Sequence, residues 1–323
     1  MTVADPSLIP ETVGPRFKRH DGSAAGPDDD FLVTPDPSIG EVVSASTNRT
    51  LRGYHKGTSN LVNRIALAVL GLIFGGMVSF AIVRGGVDFL GDLLDLDMDR
   101  DLLSLAGLAG GAVGGIVFGL VGFFFPLLFR KPTATWVGKQ GVMRRIKKRT
   151  ELLRFADADE LKVARTRHYY NGAYTGTSYD YAWFKNGARM FRINGRYHDG
   201  KNVSPVDPVN FAFAAERAWT GFRLRQIEEQ MKREGVVRFR AGGDWLGVGD
   251  GFIEIGWRGA VEQLPKAAIQ SLTLSQGTLI IKRQGAKEGL FRSEGVFRFP
   301  VAGIGDFRTF LVVLEVFTGF KFD

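Results

Sequence analysis

The sequence predicts an α+β membrane protein: two closely spaced transmembrane α-helices followed by a basic, strand-rich cytoplasmic domain built as a tandem of two similar halves. Three observations predict it. Two runs without a charged residue, 65–83 and 102–129, have bilayer length. Lys and Arg gather on the outer flanks of these runs, whereas Asp gathers between them. From residue 131 onward, short β-branched and aromatic runs separated by turn residues recur twice, each set closed by a helical pattern.

Residues 1–59 are rich in Pro, Ser, Thr, Asp and Gly, with apolar residues scattered singly and without period. That composition predicts a disordered cytoplasmic tail. No apolar run opens the chain, so the signal for membrane insertion is expected to be internal.

At about 1.5 Å per residue the run 65–83 approaches the ~30 Å hydrocarbon core. The run 102–129 exceeds it and is expected to tilt or to end in the interface near Pro126. Residues 60–130 thus read as a transmembrane hairpin. Its link, 85–101, holds Asp88, Asp92, Asp95, Asp97, Asp99 and Asp101 against Arg100. Arg49, Arg52, Lys56 and Arg64 precede the first span, and Arg130, Lys131 and Lys139 follow the second, so both termini are expected in the cytoplasm and the acidic link outside the inner membrane. Asp95, Asp97 and Asp99 repeat the opening of a calcium loop, but Arg100 replaces its turn glycine and Ala106 its closing Glu. Gly107, Gly111, Gly115 and Gly119 recur at one helix face, and Gly71 and Gly75 add to it from the first span. Such a face lets backbones approach closely, either between the two spans of one chain or in a homo-oligomer.

The third part carries the positive charge, with 33 Lys and Arg against 20 Asp and Glu from Arg130 onward. It divides into halves at 131–234 and 235–323. Trp136-Val137-Gly138 with Gly141 and Ile146 parallels Trp245-Leu246-Gly247 with Gly251 and Ile255. Ala158, Leu161 and Val163 parallel Ile269, Leu272 and Leu274, and Met190-Phe191-Arg192-Ile193 parallels Val296-Phe297-Arg298-Phe299. A helix closes each half, about 207–234 and about 305–317, with Asp207 and Asp306 as N-caps. The endings Trp219-Thr220-Gly221-Phe222 and Phe317-Thr318-Gly319-Phe320 match, and Glu228–Lys232 and Glu229–Arg233 read as i,i+4 pairs on a linker extension.

Several antiparallel strands closed by one C-terminal amphipathic helix, occurring twice with these starts and ends, resemble the pleckstrin-homology-like (PH-like) domains of bacterial two-pass membrane proteins. The resemblance covers roughly 133 to the end of the chain. It implies a module that binds lipids or proteins, and it carries over no catalytic residue.

The residues single out three candidate surfaces. Arg144, Arg145, Lys147, Lys148 and Arg149 lie about 15 residues past the second span, near enough to an anionic leaflet to bind its lipids. Tyr169, Tyr170, Tyr174, Tyr179 and Tyr181 flank a Gly-containing hairpin turn and read as cross-strand packing or as a surface for a protein partner. Arg165 and Arg167 lie beside these aromatics, but nucleic acid is not the expected partner. The glycine ladder is the third.

Chemistry finds little footing. There is no cysteine, and the four histidines have no metal-ligand spacing, so no metal and no cofactor are expected. Gly195 to Asn202 approaches a phosphate loop, yet Asn202 stands where Ser or Thr must ligate magnesium. No nucleophile neighbours His168 or His198 in the sequence. No catalytic residue is therefore assigned. The expectation is a membrane-anchored interaction or scaffold protein, with an oligomeric channel or transporter subunit as the alternative and an enzyme with an unrecognised site third.

Overall fold

The computed structural model describes residues 17–55, 61–93, 100–128, 131–199, 203–257, 259–288 and 293–321. The chain divides into two compact units, Tyr54–Pro132 and a second made of Met1–Gly53 with Thr133–Asp323.

The first unit holds α1 (Leu61–Leu93) and α2 (Arg100–Leu128). Both helices are long and apolar enough to cross a membrane, over Ile65–Phe89 and Ser104–Phe124. Helix α1 does not stop at Arg84. Gly85 and Gly86 weaken a helix by only about 1 kcal/mol each relative to Ala, so the expected link 85–101 is helical through Leu93 and again from Arg100. Asp95, Asp97 and Asp99 lie outside the described residues. Phe74, Ile82, Leu105 and Val113 are all more than half exposed. Apolar surface of this kind is unfavourable in water by about 25 cal/mol per Å².

In the second unit the N-terminal segment supplies a short 3₁₀ turn (Pro37–Ile39) and strands β1 (Val42–Thr47) and β2 (Arg49–Thr50), and β3 (Gly53–Tyr54) falls at the boundary between the units. After the helices come β4 (Thr133–Gly138), β5 (Gly141–Ile146), β6 (Arg149–Arg154), β7 (Glu160–Tyr170), β8 (Ala173–Lys185), β9 (Ala188–Tyr197) and α3 (Pro208–Glu234). The second half follows with β10 (Val236–Ala241), β11 (Asp244–Gly249), β12 (Phe252–Trp257), β13 (Ala260–Pro265), β14 (Ile269–Ser275), β15 (Thr278–Glu288), β16 (Ser293–Pro300) and α4 (Phe307–Thr318). The sheets have the orders β1-β4-β5-β6 and β7-β8-β9 in one half, β10-β11-β12-β13 and β14-β15-β16 in the other. Each half is therefore four antiparallel strands, then three, then a helix. The two-residue hairpin loops Asn171-Gly172, Asn186-Gly187 and Gln276-Gly277 have positive φ at both positions, the type I′ geometry that suits the strand twist.

The tail expectation is corrected over the described residues 17–55. Strand β1 pairs with β4, Ala45 opposite Trp136 and Thr47 opposite Ala134, and so takes the place that β10 takes beside β11. The membrane-length hairpin is thus inserted between the first and second strands of the first half. Phe17, Phe31, Leu32, Val33 and Ile39 cover the outer face of this sheet around Trp136 and Met143. They have no local period because irregular chain and one short 3₁₀ turn, not an α-helix or strand, deliver them.

The Trp-x-Gly parallel is also displaced. Trp136 is the fourth residue of β4 and Trp245 the second of β11. Trp136 is buried under the N-terminal segment, whereas Trp245 lies beneath the Arg238 guanidinium, 5.0 Å from the ring centre. The shared helix endings diverge too. Gly319 (φ 67) terminates α4 in the left-handed region, but α3 runs through Gly221 and ends at Gly235 (φ 68). The extension is more than a linker, since Leu224, Ile227 and Met231 pack into the core of the second half. Lys232 pairs with Glu228 at 2.9 Å as expected, while Arg233 turns to Glu234.

Each half has its own core. Tyr181, Trp183, Phe155 and Trp219 fill the first, with Phe155 edge-on to Trp219 at 5.3 Å. Leu246, Ile253, Phe299 and Phe310 fill the second.

Asp207 caps α3, its Oδ1 accepting from the Val209 N–H at 2.9 Å. Asp306 stands at the N-cap of α4 but does not cap it. Its side chain enters the first half, where Oδ1 accepts from the Leu161 N–H (2.8 Å) and Trp219 Nε1 (2.6 Å) and Oδ2 from Arg223 Nε (3.0 Å). Burial pushes its pKa up against the pull of Arg223 and these donors. Glu216 of α3 makes a second polar link between the halves, with Arg165 at 2.8 Å and Arg308 of α4 at 4.0 Å.

Candidate functional site

The basic cluster forms the tip of the β5–β6 hairpin. Ile146 pairs with Arg149, so Lys147 and Lys148 are its two loop residues. Lys147 has φ 53, a left-handed conformation that costs a lysine roughly 1–2 kcal/mol. Arg145 braces the loop by donating to the Lys147 carbonyl (3.1 Å) and to Thr150 Oγ1 (3.3 Å). Lys147, Lys148 and Arg149 are exposed. Arg144 departs from the expected set: its guanidinium is paired with Glu151 and lies over the Phe191 ring at 5.2 Å, half-buried on the other side of the strand. Glu151 also meets Arg149 at 3.2 Å. The surface available to an anion is therefore Arg145, Lys147, Lys148 and part of Arg149.

The aromatic cluster divides in the same way. Tyr169 and Tyr170 are exposed at the end of β7, and Tyr174 packs edge-on against Tyr169 (5.8 Å) and His198 (4.7 Å). Tyr179 and Tyr181 are core residues, at 4% and 0% exposure, and are corrected from partner surface to packing. They share one face of β8 with Trp183, as the period of two requires. The Tyr181 hydroxyl accepts from Arg165 Nε at 2.8 Å, and burial raises both phenol pKa values well above the usual range.

The glycine ladder faces α1. A Cβ on Gly115 would stand 2.9 Å from the Leu72 carbonyl oxygen, one on Gly111 3.2 Å from that of Gly76, and one on Gly119 3.3 Å from that of Ala68. A Cβ on Gly107 would meet the Phe80 ring, while Gly71 abuts the Phe118 carbonyl and Gly75 the Phe118 side chain. Within the single chain, this face is therefore packed against α1.

His20 and the pair His168–Ser178 escaped the sequence reading, because sequence distance hides each contact. His20, within the N-terminal segment, is buried against β1 and β4, with Nδ1 2.8 Å from Ser44 Oγ and Nε2 2.9 Å from Thr135 Oγ1. The Thr135 hydroxyl donates to the Ser46 carbonyl, so it accepts from Nε2–H, and Nδ1 accepts from Ser44. The imidazole is neutral, its pKa pushed down to about 3 chiefly by burial and further by the nearby Arg217. His168 Nε2 lies 2.8 Å from Ser178 Oγ across β7 and β8, and that hydroxyl also reaches the Thr166 carbonyl. Among the described residues no carboxylate is hydrogen-bonded to the His168 ring to orient it for base chemistry. Gly195 to Tyr197 continue β9, and residues 200–202 of the phosphate-loop resemblance lie outside the described residues. Comparison with models of known protein families and with curated proteins finds none that matches the chain.

Proposed function

We propose that this chain is a membrane-anchored interaction protein. In this reading α1 and α2 cross the inner membrane, both termini stay in the cytoplasm, and the duplicated domain is PH-like, each half being seven strands and a closing helix. Its β5–β6 tip binds anionic lipid headgroups at the inner leaflet.

The pairing of β1 with β4 carries the reading. One strand precedes the first span and its partner follows the second, so both flanks must occupy the same compartment. The Lys and Arg excess on these flanks favours the cytoplasm. The register supports the role of the tip. Thr133 lies opposite Ile146, so the basic loop is at the sheet end where the chain arrives from α2. Each exposed Lys or Arg near an anionic surface contributes about 1 kcal/mol, and tethering raises the effective concentration enough for a few such contacts to matter. A channel lined by the glycine face is disfavoured, because α1 occupies that face.

The chain has no cysteine, so Thr150→Cys gives one labelling position beside the loop. With full-length protein in nanodiscs, a dye there should be quenched by nitroxide-headgroup lipid when the bilayer contains phosphatidylglycerol. Quenching should fall as salt rises over a Debye length of about 10 Å at 0.1 M, and should vanish in a Lys147→Gln, Lys148→Gln, Arg149→Gln variant. Equal quenching in purely phosphatidylcholine discs, or none in either, would reject lipid docking by this loop.

A further inference from the structure

A cleft of about 620 Å³ opens between the N-terminal segment around Lys18 to Gly22, the β1–β4 edge and helix α3. Its volume falls in the range of small-molecule sites, about 300–1,000 Å³. Arg217, Gly221 and Arg225 follow one another at four-residue spacing along α3, so two guanidinium groups flank a position with no side chain. A Cβ built on Gly221 meets nothing within 4 Å, and Ala218 beside it adds only a methyl group to an apolar floor.

The rim is cationic. Lys18, Lys139, Arg217 and Arg225 all line the cleft. Lys139 is paired with Glu41, and Arg217 donates to the His20 carbonyl at 3.1 Å, which fixes its direction without neutralising it. Among the described residues Lys18 and Arg225 make no ion pair. Asp21 is the acid at the rim, and its carboxylate accepts from the Ser23 N–H (3.0 Å) and Oγ (2.7 Å). Cations gathered around a low-dielectric floor repel one another and concentrate anions. An arginine presents its donors in a fork that matches phosphate oxygens.

We infer that this cleft binds a phosphate-bearing small molecule, the phosphate held by Lys18, Arg217 and Arg225 and the remainder lying over Ala218 and Gly221. None of these residues belongs to the β5–β6 tip, so the inference stands apart from lipid docking by that loop. A soluble phosphoester and the headgroup of a phosphomonoester lipid offer the same chemistry.

The test uses full-length protein in phosphatidylcholine nanodiscs, with pyrophosphate and inositol hexakisphosphate titrated by calorimetry. Saturable binding is expected. Arg225→Gln and Lys18→Gln should each weaken it about tenfold, equivalent to about 1.4 kcal/mol. Gly221→Leu should weaken it at least as much by filling the floor, with an unchanged thermal midpoint, whereas the Lys147, Lys148, Arg149 triple variant should bind as the wild type does. Discs containing phosphatidic acid identify the source: apparent pyrophosphate affinity falls if the lipid headgroup occupies the cleft and stays constant if the ligand is soluble, and either outcome supports the cleft as a phosphate site. Absence of saturable binding, or binding that Arg225→Gln, Lys18→Gln and Gly221→Leu all leave unchanged, would overturn the inference.

Discussion

His20 shows how one side chain sets the conditions under which the N-terminal segment stays docked. An imidazole in the unfolded chain takes up a proton near pH 6.5, but this one resists until about pH 3. Between those values the unfolded state binds more protons, so stability rises with pH and is lost as pH falls, at about 1.4 kcal/mol per pH unit from this group. Urea unfolding of the full-length protein in detergent, followed by tryptophan emission, should show that loss between pH 6 and 4. His20→Gln, which cannot titrate, should flatten the pH dependence; an unchanged slope would mean that His20 is protonated in the folded state. The same residue explains what the sequence conceals. Val42 to Thr47 reads as a mixed small and polar stretch, yet Ser44, Ala45, Ser46 and Thr47 are all buried. Ser44 and Thr135 are satisfied by an imidazole far away in sequence, an arrangement no local pattern reports.

At the scale of elements, the helical hairpin was legible because two long uninterrupted apolar runs separated by a short link favour two adjacent helices, and because four-residue glycine spacing places the glycines on one helix face. Its ends were not, since Arg84 and the acidic link do not oppose helix formation strongly enough to stop α1. The glycine contacts give a test with an internal control. Gly115→Leu forces a side chain against the Leu72 carbonyl and should lower the thermal midpoint of the detergent-solubilised protein, at a cost of order 1–3 kcal/mol for overpacking. Gly85→Leu and Gly86→Leu face open space and should leave the midpoint unchanged or slightly raised. Equal effects at all three positions would contradict close packing of α1 on α2. The strand-rich halves were legible in order and composition, but the Tyr cluster needed the period of β8 to be taken literally. Tyr179, Tyr181 and Trp183 alternate inward, which leaves Tyr169 and Tyr170 as the exposed members.

For the whole molecule, the insertion of α1 and α2 between β1 and β4 means that a fragment beginning at Thr133 lacks one strand of its first sheet. Such a fragment exposes the β4 edge and the Trp136 face, a combination that invites aggregation. Joining residues 17–53 through a short Gly-Ser linker to residue 133 should instead yield a soluble, cooperatively unfolding domain, whereas the Thr133 fragment should aggregate or melt without cooperativity. Circular dichroism and light scattering on the two proteins separate these outcomes, and identical behaviour would mean that β1 is dispensable. The order of biosynthesis follows from the same connectivity. A ribosome delivers β1 long before β4, and both helices must emerge in the interval, so the strand waits unpartnered while the whole hairpin is made. Sheet closure is then a late event: under the proposed two-span topology, a chain in which one helix alone crossed the lipid would hold β1 and β4 on opposite sides and keep an unpaired sheet edge.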